Sequence, residues 1–124
     1  MHALLGIGDW QDLLGHPKAG ASWEGFAIQQ VVRRLRAAPE ECFFWALHSA
    51  ADLDLLVVRG RRRLGFEMKF TEAPRVTPSM RSALQTLRLD RLEVIHVGPD
   101  TFPMADRIRA VSISRLLDDL APLS

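Results

Sequence analysis

Between Ala51 and Phe70, apolar and charged residues alternate on either side of a basic turn. That period of two predicts two strands joined as a hairpin. Leu53, Leu55 and Val57 fall on one face of the first strand, with Asp52 and Asp54 on the other; in the second, Phe66, Met68 and Phe70 oppose Glu67 and Lys69. A two-residue Gly60-Arg61 turn sets Arg59 across from Arg62, which brings Asp54 opposite Glu67 and Asp52 opposite Lys69. A three-residue turn or a bulge would shift this register by one. Like charges facing each other across a hairpin cost roughly 0.2–1 kcal/mol, so something cationic is expected between Asp54 and Glu67.

Around this hairpin the pattern changes period. Trp23, Phe26, Ala27, Gln30, Val31 and Leu35 recur near 3.6 residues and predict a helix from Ala21 to about Arg36, capped by Ser22 and stopped by Pro39. Cys42–Leu47 reads as a strand leading into the Asp52–Val58 strand, followed by the turn and the Leu64–Phe70 strand. Thr71–Pro78 is a loop and Ser79–Leu87 a short helix that buries Met80, Ala83, Leu84 and Leu87, with Gln85 beside that stripe. Leu92–Val97 is a fully buried strand closed by Gly98-Pro99, and Arg107–Ser112 a weaker one. Ser114 caps a last helix with Leu116, Leu117 and Leu120 inward. Before all of these, residues 1–20 are punctuated by glycine around a short helical candidate, Asp9–Leu14, with Asp9 as cap. Their apolar surface is expected to pack on the domain or on a partner. The resulting order, helix, three strands, helix, two strands, helix (αβββαββα), predicts an α/β fold with a mixed sheet flanked by helices.

Composition narrows this only a little. A chain of 124 residues, 48% hydrophobic and 25% charged, suits one globular domain, here residues 21–124 behind the N-terminal segment. A net charge of +1 makes any basic footprint local. The single Cys42 excludes an internal disulfide and fits a reducing, cytoplasmic setting, and no apolar run is long enough for a membrane span.

An acid on an early helix, an Asp on a strand, then Glu-x-Lys on its partner is an order that resembles the PD-(D/E)XK nuclease superfamily. Here the pieces are Glu24, Asp54 and Glu67-Met68-Lys69. Gly20-Ala21-Ser22-Trp23-Glu24-Gly25-Phe26, Asp52-Leu53-Asp54-Leu55, Phe66-Glu67-Met68-Lys69 before a Thr-Pro loop, and the strand closed by Gly98 look like one particular relative. That relative is the C-terminal domain of unknown function of prokaryotic AAA-type ATPases, assigned to the same restriction-endonuclease-like fold. No Gly-x4-Gly-Lys-Ser/Thr loop is present, so the chain has no ATP site of that kind. It resembles the C-terminal domain standing alone, as a natural remnant or a truncated gene.

The resemblance implies a DNA-cleaving, Mg²⁺- or Mn²⁺-dependent nuclease. Asp54 and Glu67 would ligate the metal, the Met68 carbonyl and Glu24 would assist, and Lys69 would act on the attacking water and the phosphate. The alternative is an inactive module for protein or nucleic-acid interaction, since fold does not fix function; a homodimer or a partner ATPase engaged through the N-terminal segment belongs to that reading. From pattern alone Glu24 is also a plain first-turn acid favoured by the helix dipole, and the hairpin charges are also the wet face of a sheet. Arg59, Arg61, Arg62 and Arg63 either grip phosphates beside the active face or keep an exposed tip soluble. Gln85 resembles a phosphate-contacting position and also reads as a plain exposed residue. Arg33, Arg34 and Arg36 read as a solvated helix end, and Trp10, Trp23 and Trp45 as core. Of His2, His16, His48 and His96, only His48 falls near the proposed site.

Overall fold

The computed structural model describes residues 4–5, 19–45 and 53–123. The Asp9–Leu14 helix, Trp10, His2, His16, His48 and the Asp52–Lys69 pairing lie outside the described residues. Seven strands form one mixed sheet: β1 (Leu4–Leu5), β2 (Cys42–Trp45), β3 (Leu55–Arg59), β4 (Arg62–Lys69), β5 (Arg91–His96), β6 (Phe102–Ala105) and β7 (Ile108–Ser112). Their spatial order is β1-β2-β3-β4-β5-β7-β6. The first four pair antiparallel, β4–β5 and β5–β7 pair parallel, and β6 returns antiparallel to β7 with a register shift between Pro103 and Ala105.

Three helices complete the described fold: α1 (Ala19–Leu35), α2 (Pro78–Thr86) and α3 (Leu116–Asp119). Helix α1 starts before the expected cap, so Ser22 is its fourth residue and Glu24 lies past the first turn, where the dipole's help has fallen off. It ends at Leu35, four residues before Pro39. Arg36 takes φ 58° and the Ala37 amide bonds back to the Val32 carbonyl at 3.3 Å, a Schellman closure that satisfies an orphan helix carbonyl. Helix α2 is set by Thr77, whose hydroxyl accepts from the Met80 amide, with Pro78 as first residue. It closes in the same way, with Arg88 at φ 52° and Leu89 bonding back to Leu84 at 3.0 Å. Ser114 does not cap α3; it sits within a 3₁₀ turn, Ile113–Arg115, and its hydroxyl meets that of Ser112.

The two long helices cover opposite faces of the sheet. Ala27, Ile28, Val31 and Leu35 of α1 pack with Leu55, Val57, Phe66, Met68, Ile95 and Val111. Met80 and Ala83 of α2 pack with Leu53, Leu56, Leu92, Val94 and Ile108. Strand β5 is thus buried on both sides, as its mainly apolar sequence predicts. Phe26 and Leu117, expected inward, are 52% and 71% exposed. In α1 the buried stripe runs through Ile28 instead, and α3 is too short to turn Leu117 toward the core. Leu53 also changes face: the chain bends at Asp54, outside β3, and the alternation read through it breaks there.

Candidate functional site

The hairpin has the register its sequence predicts. Gly60 takes φ 59° at the turn, and Arg59 pairs with Arg62, Val57 with Leu64 and Leu55 with Phe66. One step further Asp54 stands where the count puts it opposite Glu67, but its carboxylate turns to the β4 backbone. The Met68 amide donates to Asp54 Oδ2 at 2.7 Å, while the Asp54 amide donates to the Phe66 carbonyl at 3.1 Å. A side-chain oxygen takes the place of the next main-chain acceptor where the ladder ends, which fixes the carboxylate beside β4.

Glu67 points to the α2 face, as its register neighbour Val94 does, and is 2% exposed. A carboxylate so far from water needs a close positive partner. Lys69, two residues on along the same face, supplies it, with Nζ 2.8 Å from Glu67 Oε1 and the lysine side chain 38% exposed. At Glu67 the neighbouring positive charge is therefore Lys69. The first half of α1 reaches this end of the sheet as well, because the Trp23 ring meets Phe70 edge-on with centroids 5.2 Å apart. Glu24, half-buried, follows Trp23 in the chain. Phe70 itself lies beyond the end of β4 and is exposed.

Sequence reasoning missed the histidine nearest these groups among the described residues. His96 pairs in register with Lys69 on β5 and is fully buried. Its Nε2 is 2.8 Å from the Asp100 carbonyl and its Nδ1 accepts from the Gly98 amide at 3.0 Å. A carbonyl only accepts and an amide only donates, so the ring is the neutral tautomer protonated on Nε2. Both nitrogens hold backbone, which makes His96 a brace. Gly98 is required by close packing, since a Cβ there would lie 2.4 Å from the Glu72 carbonyl oxygen. Ser112 completes the brace by donating to the Gly98 carbonyl. The sign in the sequence was a histidine ending an apolar strand just before Gly-Pro. A second missed pair is Glu93 with Arg109. Glu93 is buried on β5, and the Arg109 Nε donates to both its oxygens at 3.2 and 3.3 Å while Nη2 reaches the Asp119 carbonyl at 2.9 Å. This ties α3 to the sheet.

The hairpin arginines divide. Arg59 forks onto Glu41, with Nε to Oε2 at 2.7 Å and Nη2 to Oε1 at 2.9 Å. These bonds, with the Ala38 amide, hold the Glu41 carboxyl down at about 2. Arg63 donates to the Leu87 carbonyl at 2.7 Å and fastens the hairpin to the end of α2. Arg61 and Arg62 are exposed at the tip, and Gln85 is exposed on α2. None of these is beside the carboxylates: the tip is seven residues back along β4 from Lys69, roughly 23 Å at the rise of a strand. Arg34, expected to be merely solvated, donates to the Leu120 and Leu117 carbonyls. Cys42 is buried, and desolvation with the acids Glu41 and Glu40 nearby pushes its thiol up to about 11.

The donor chemistry of Asp54 and Glu67 suits a hard divalent cation, which takes one or two carboxylates and completes its shell with carbonyl, water and phosphate oxygens. No group of three or more His, Cys, Asp or Glu that could hold a metal ion occurs among the described residues. Asp54 and Glu67 are two carboxylates, too few for an all-protein cage. Among the described residues no helix is long and apolar enough to cross a membrane.

Two curated relatives are each 43% identical to the chain over 117 residues, 94% of its length. They are Uncharacterized protein Rv2008c of Mycobacterium tuberculosis and Uncharacterized protein Mb2031c of Mycobacterium bovis. The match takes in 26% of each, so the chain spans about a quarter of the length of the curated relatives it matches. No solved structure matches. The model of one family, Domain of unknown function DUF4143, covers residues 19–116, from the start of α1 through the last sheet strand to the first residue of α3; the chain belongs to that family.

Proposed function

We propose that this domain is a metal-dependent phosphodiester hydrolase acting on DNA, with a restriction-endonuclease-like core. The observation that carries the reading is Glu67, a carboxylate 2% exposed, paired with Lys69 and one strand away from Asp54. It lies near the end of the sheet where the parallel strands β4 and β5 finish, and the crevice outside such carboxyl ends is where open α/β sheets hold ligands. The succession α1, antiparallel β2-β3-β4, α2, parallel β5 supports the same core.

In this reading Asp54 and Glu67 hold Mg²⁺ or Mn²⁺, with the Met68 carbonyl as a further ligand and Glu24 acting directly or through water. Such an ion, when bound, acidifies water and screens the phosphodiester charge. The Met68 amide keeps Asp54 from swinging away, and burial keeps Glu67 in one place. Lys69 orients the attacking water and stabilises charge that builds on the phosphate. The bond formed is water oxygen to phosphorus and the bond broken is the ester P–O. The greater length of the mycobacterial relatives suits a domain that works with another unit, such as the ATPase of the resemblance.

A calorimetric Mn²⁺ titration of the wild type and of Asp54→Asn tests this. Binding in the first and its loss in the second is the expected result, followed by DNA cleavage that Lys69→Ala lowers about 10²–10³-fold. No heat in either folded protein would end the catalytic reading. One observation favours the second reading, an inactive interaction module: Lys69 and the Met68 amide already engage the two acids. Binding to DNA or a partner that survives Asp54→Ala and needs no metal would favour it.

A further inference from the structure

We infer that the opposite end of the sheet, where the parallel strands begin, is a docking face for the phosphate backbone of duplex DNA. Three stretches far apart in the chain meet there: the hairpin tip, the link from α2 to β5, and the turn between β6 and β7. Asp90 accepts from the Arg63 amide at 2.9 Å and donates its own amide to the Arg63 carbonyl at 2.8 Å, and Arg63 also grips Leu87. These bonds bring the hairpin tip to the end of α2. Arg91 pairs in register with Leu64, and the Leu92 amide donates to the Arg107 carbonyl at 2.8 Å, adding the β6–β7 turn.

Exposed on this end are Arg61, Arg81, Arg88, Arg91 and Arg107, against the acids Asp90 and Asp106. Glu41 is already committed to Arg59, and the buried Glu93 to Arg109, with Arg91 Nε 4.0 Å from the same carboxylate; Glu40, next to Glu41, is exposed as well. The surplus is thus strongly positive in a chain whose net charge is only +1. Strands stand about 4.8 Å apart, so arginines set at the hairpin tip, on β5 and in the turn before β7 form a row suited to an extended, regularly charged polymer. Arg81, Arg88 and Arg107 also line an open cavity of about 490 Å³ with Leu84, Gln85 and Leu89; Asp90 and Asp106 stand on its wall too, three arginines against two acids, and it is roomy enough for a backbone phosphate and its sugar.

Two of these residues sit at chain reversals: Arg88, at φ 52°, closes α2, and Arg107, at φ 64°, stands in the turn between β6 and β7. Both arginines line the cavity. Arginine's planar fork matches phosphate oxygens two at a time. A lipid surface fits less well, because it would need an apolar anchor and the large exposed hydrophobics Phe26, Phe70 and Leu117 are on other parts of the fold.

The inference deepens the DNA-directed reading but needs no catalysis. Its test is fluorescence anisotropy of a labelled 20-base-pair duplex in EDTA across a NaCl series, with wild type and the Arg61→Gln/Arg88→Gln/Arg107→Gln variant, whose folding is checked by circular dichroism. The wild type is expected to bind with a log–log salt dependence. The variant is expected to bind at least tenfold more weakly, with a slope shallower by about 0.9 for each phosphate it no longer neutralises. Equal binding by both proteins, no binding by the wild type, or equal affinity of the wild type for polyglutamate would overturn the inference. A parallel Mn²⁺ titration separates the two proposals. Manganese heat without arginine-dependent DNA binding sinks this one alone, and arginine-dependent binding without manganese heat sinks only the hydrolase.

Discussion

The two ends of the β3–β4 hairpin are built from the same alternating pattern and use charge in opposite ways. At the strand-exit end, Glu67 is sealed from water and held by Lys69, Asp54 is tied to a backbone amide, and the surrounding turns are braced by His96, Gly98 and Ser112. At the tip end Arg61, Arg88 and Arg107 stand in solvent, while Arg59 and Arg63 are committed to structure. A buried charge is fixed because leaving it unpaired costs several kcal/mol; an exposed one is available to a partner because screening makes it cheap.

That contrast is broken or sharpened by substitution. The largest effect is expected for Gly98→Ala, where the new methyl would meet the Glu72 carbonyl oxygen at 2.4 Å and the His96 ring at 3.0 Å. A loss of about 3 kcal/mol in urea denaturation is expected, against about 1 kcal/mol for Gly60→Ala, which has open space and only a positive φ to sustain. Lys69→Met leaves the buried Glu67 carboxylate without its ammonium and should cost about 2 kcal/mol. Equal losses at Gly98 and Gly60 would erase the difference between the ends.

A pH series probes the Arg59–Glu41 pair. The folded-state carboxyl of Glu41 is lowered from 4.5 to about 2, so its stabilisation is present above about pH 4.5 and is lost as pH falls toward 2. The thermal stability of wild type over Glu41→Gln should shrink through that window; a constant difference would show that charge is not its source. Arg61→Ala, at the exposed tip, should change stability by less than about 0.5 kcal/mol.

How much of this was legible in the sequence depended on whether the deciding neighbour was near in the chain. The Gly60-Arg61 turn and the Arg59–Arg62 register were readable because a two-residue turn dictates the pairing on both sides. That Glu67 and Lys69 share a face was readable too, as residues two apart on a strand; their ion pair was not, because the expected partner of Lys69 was Asp52 across the hairpin. The bend at Asp54 was not, because it depends on the Met68 amide across the hairpin. The start of α1 was misplaced for want of a decisive cap, and β6 escaped notice because Pro103 interrupts a four-residue strand. Glu93 looked like a lapse in an apolar run until Arg109, on another strand, was brought beside it. The basic end was legible only in part for the same reason: Arg61 stood out among the hairpin arginines, but Arg88, Arg91 and Arg107 are unremarkable singly and are brought to it only by the parallel pairing of β4, β5 and β7.

The modest strand β6 has a further consequence. It lies at the margin of the sheet, where a row of unsatisfied main-chain groups would invite a second molecule to add its own strand. Its second residue, Pro103, has no amide hydrogen to offer, and the register slips just beyond it. A neighbour attempting to extend the sheet there meets a missing donor followed by a kink. The domain thereby carries, in four residues, its own guard against fibrous growth.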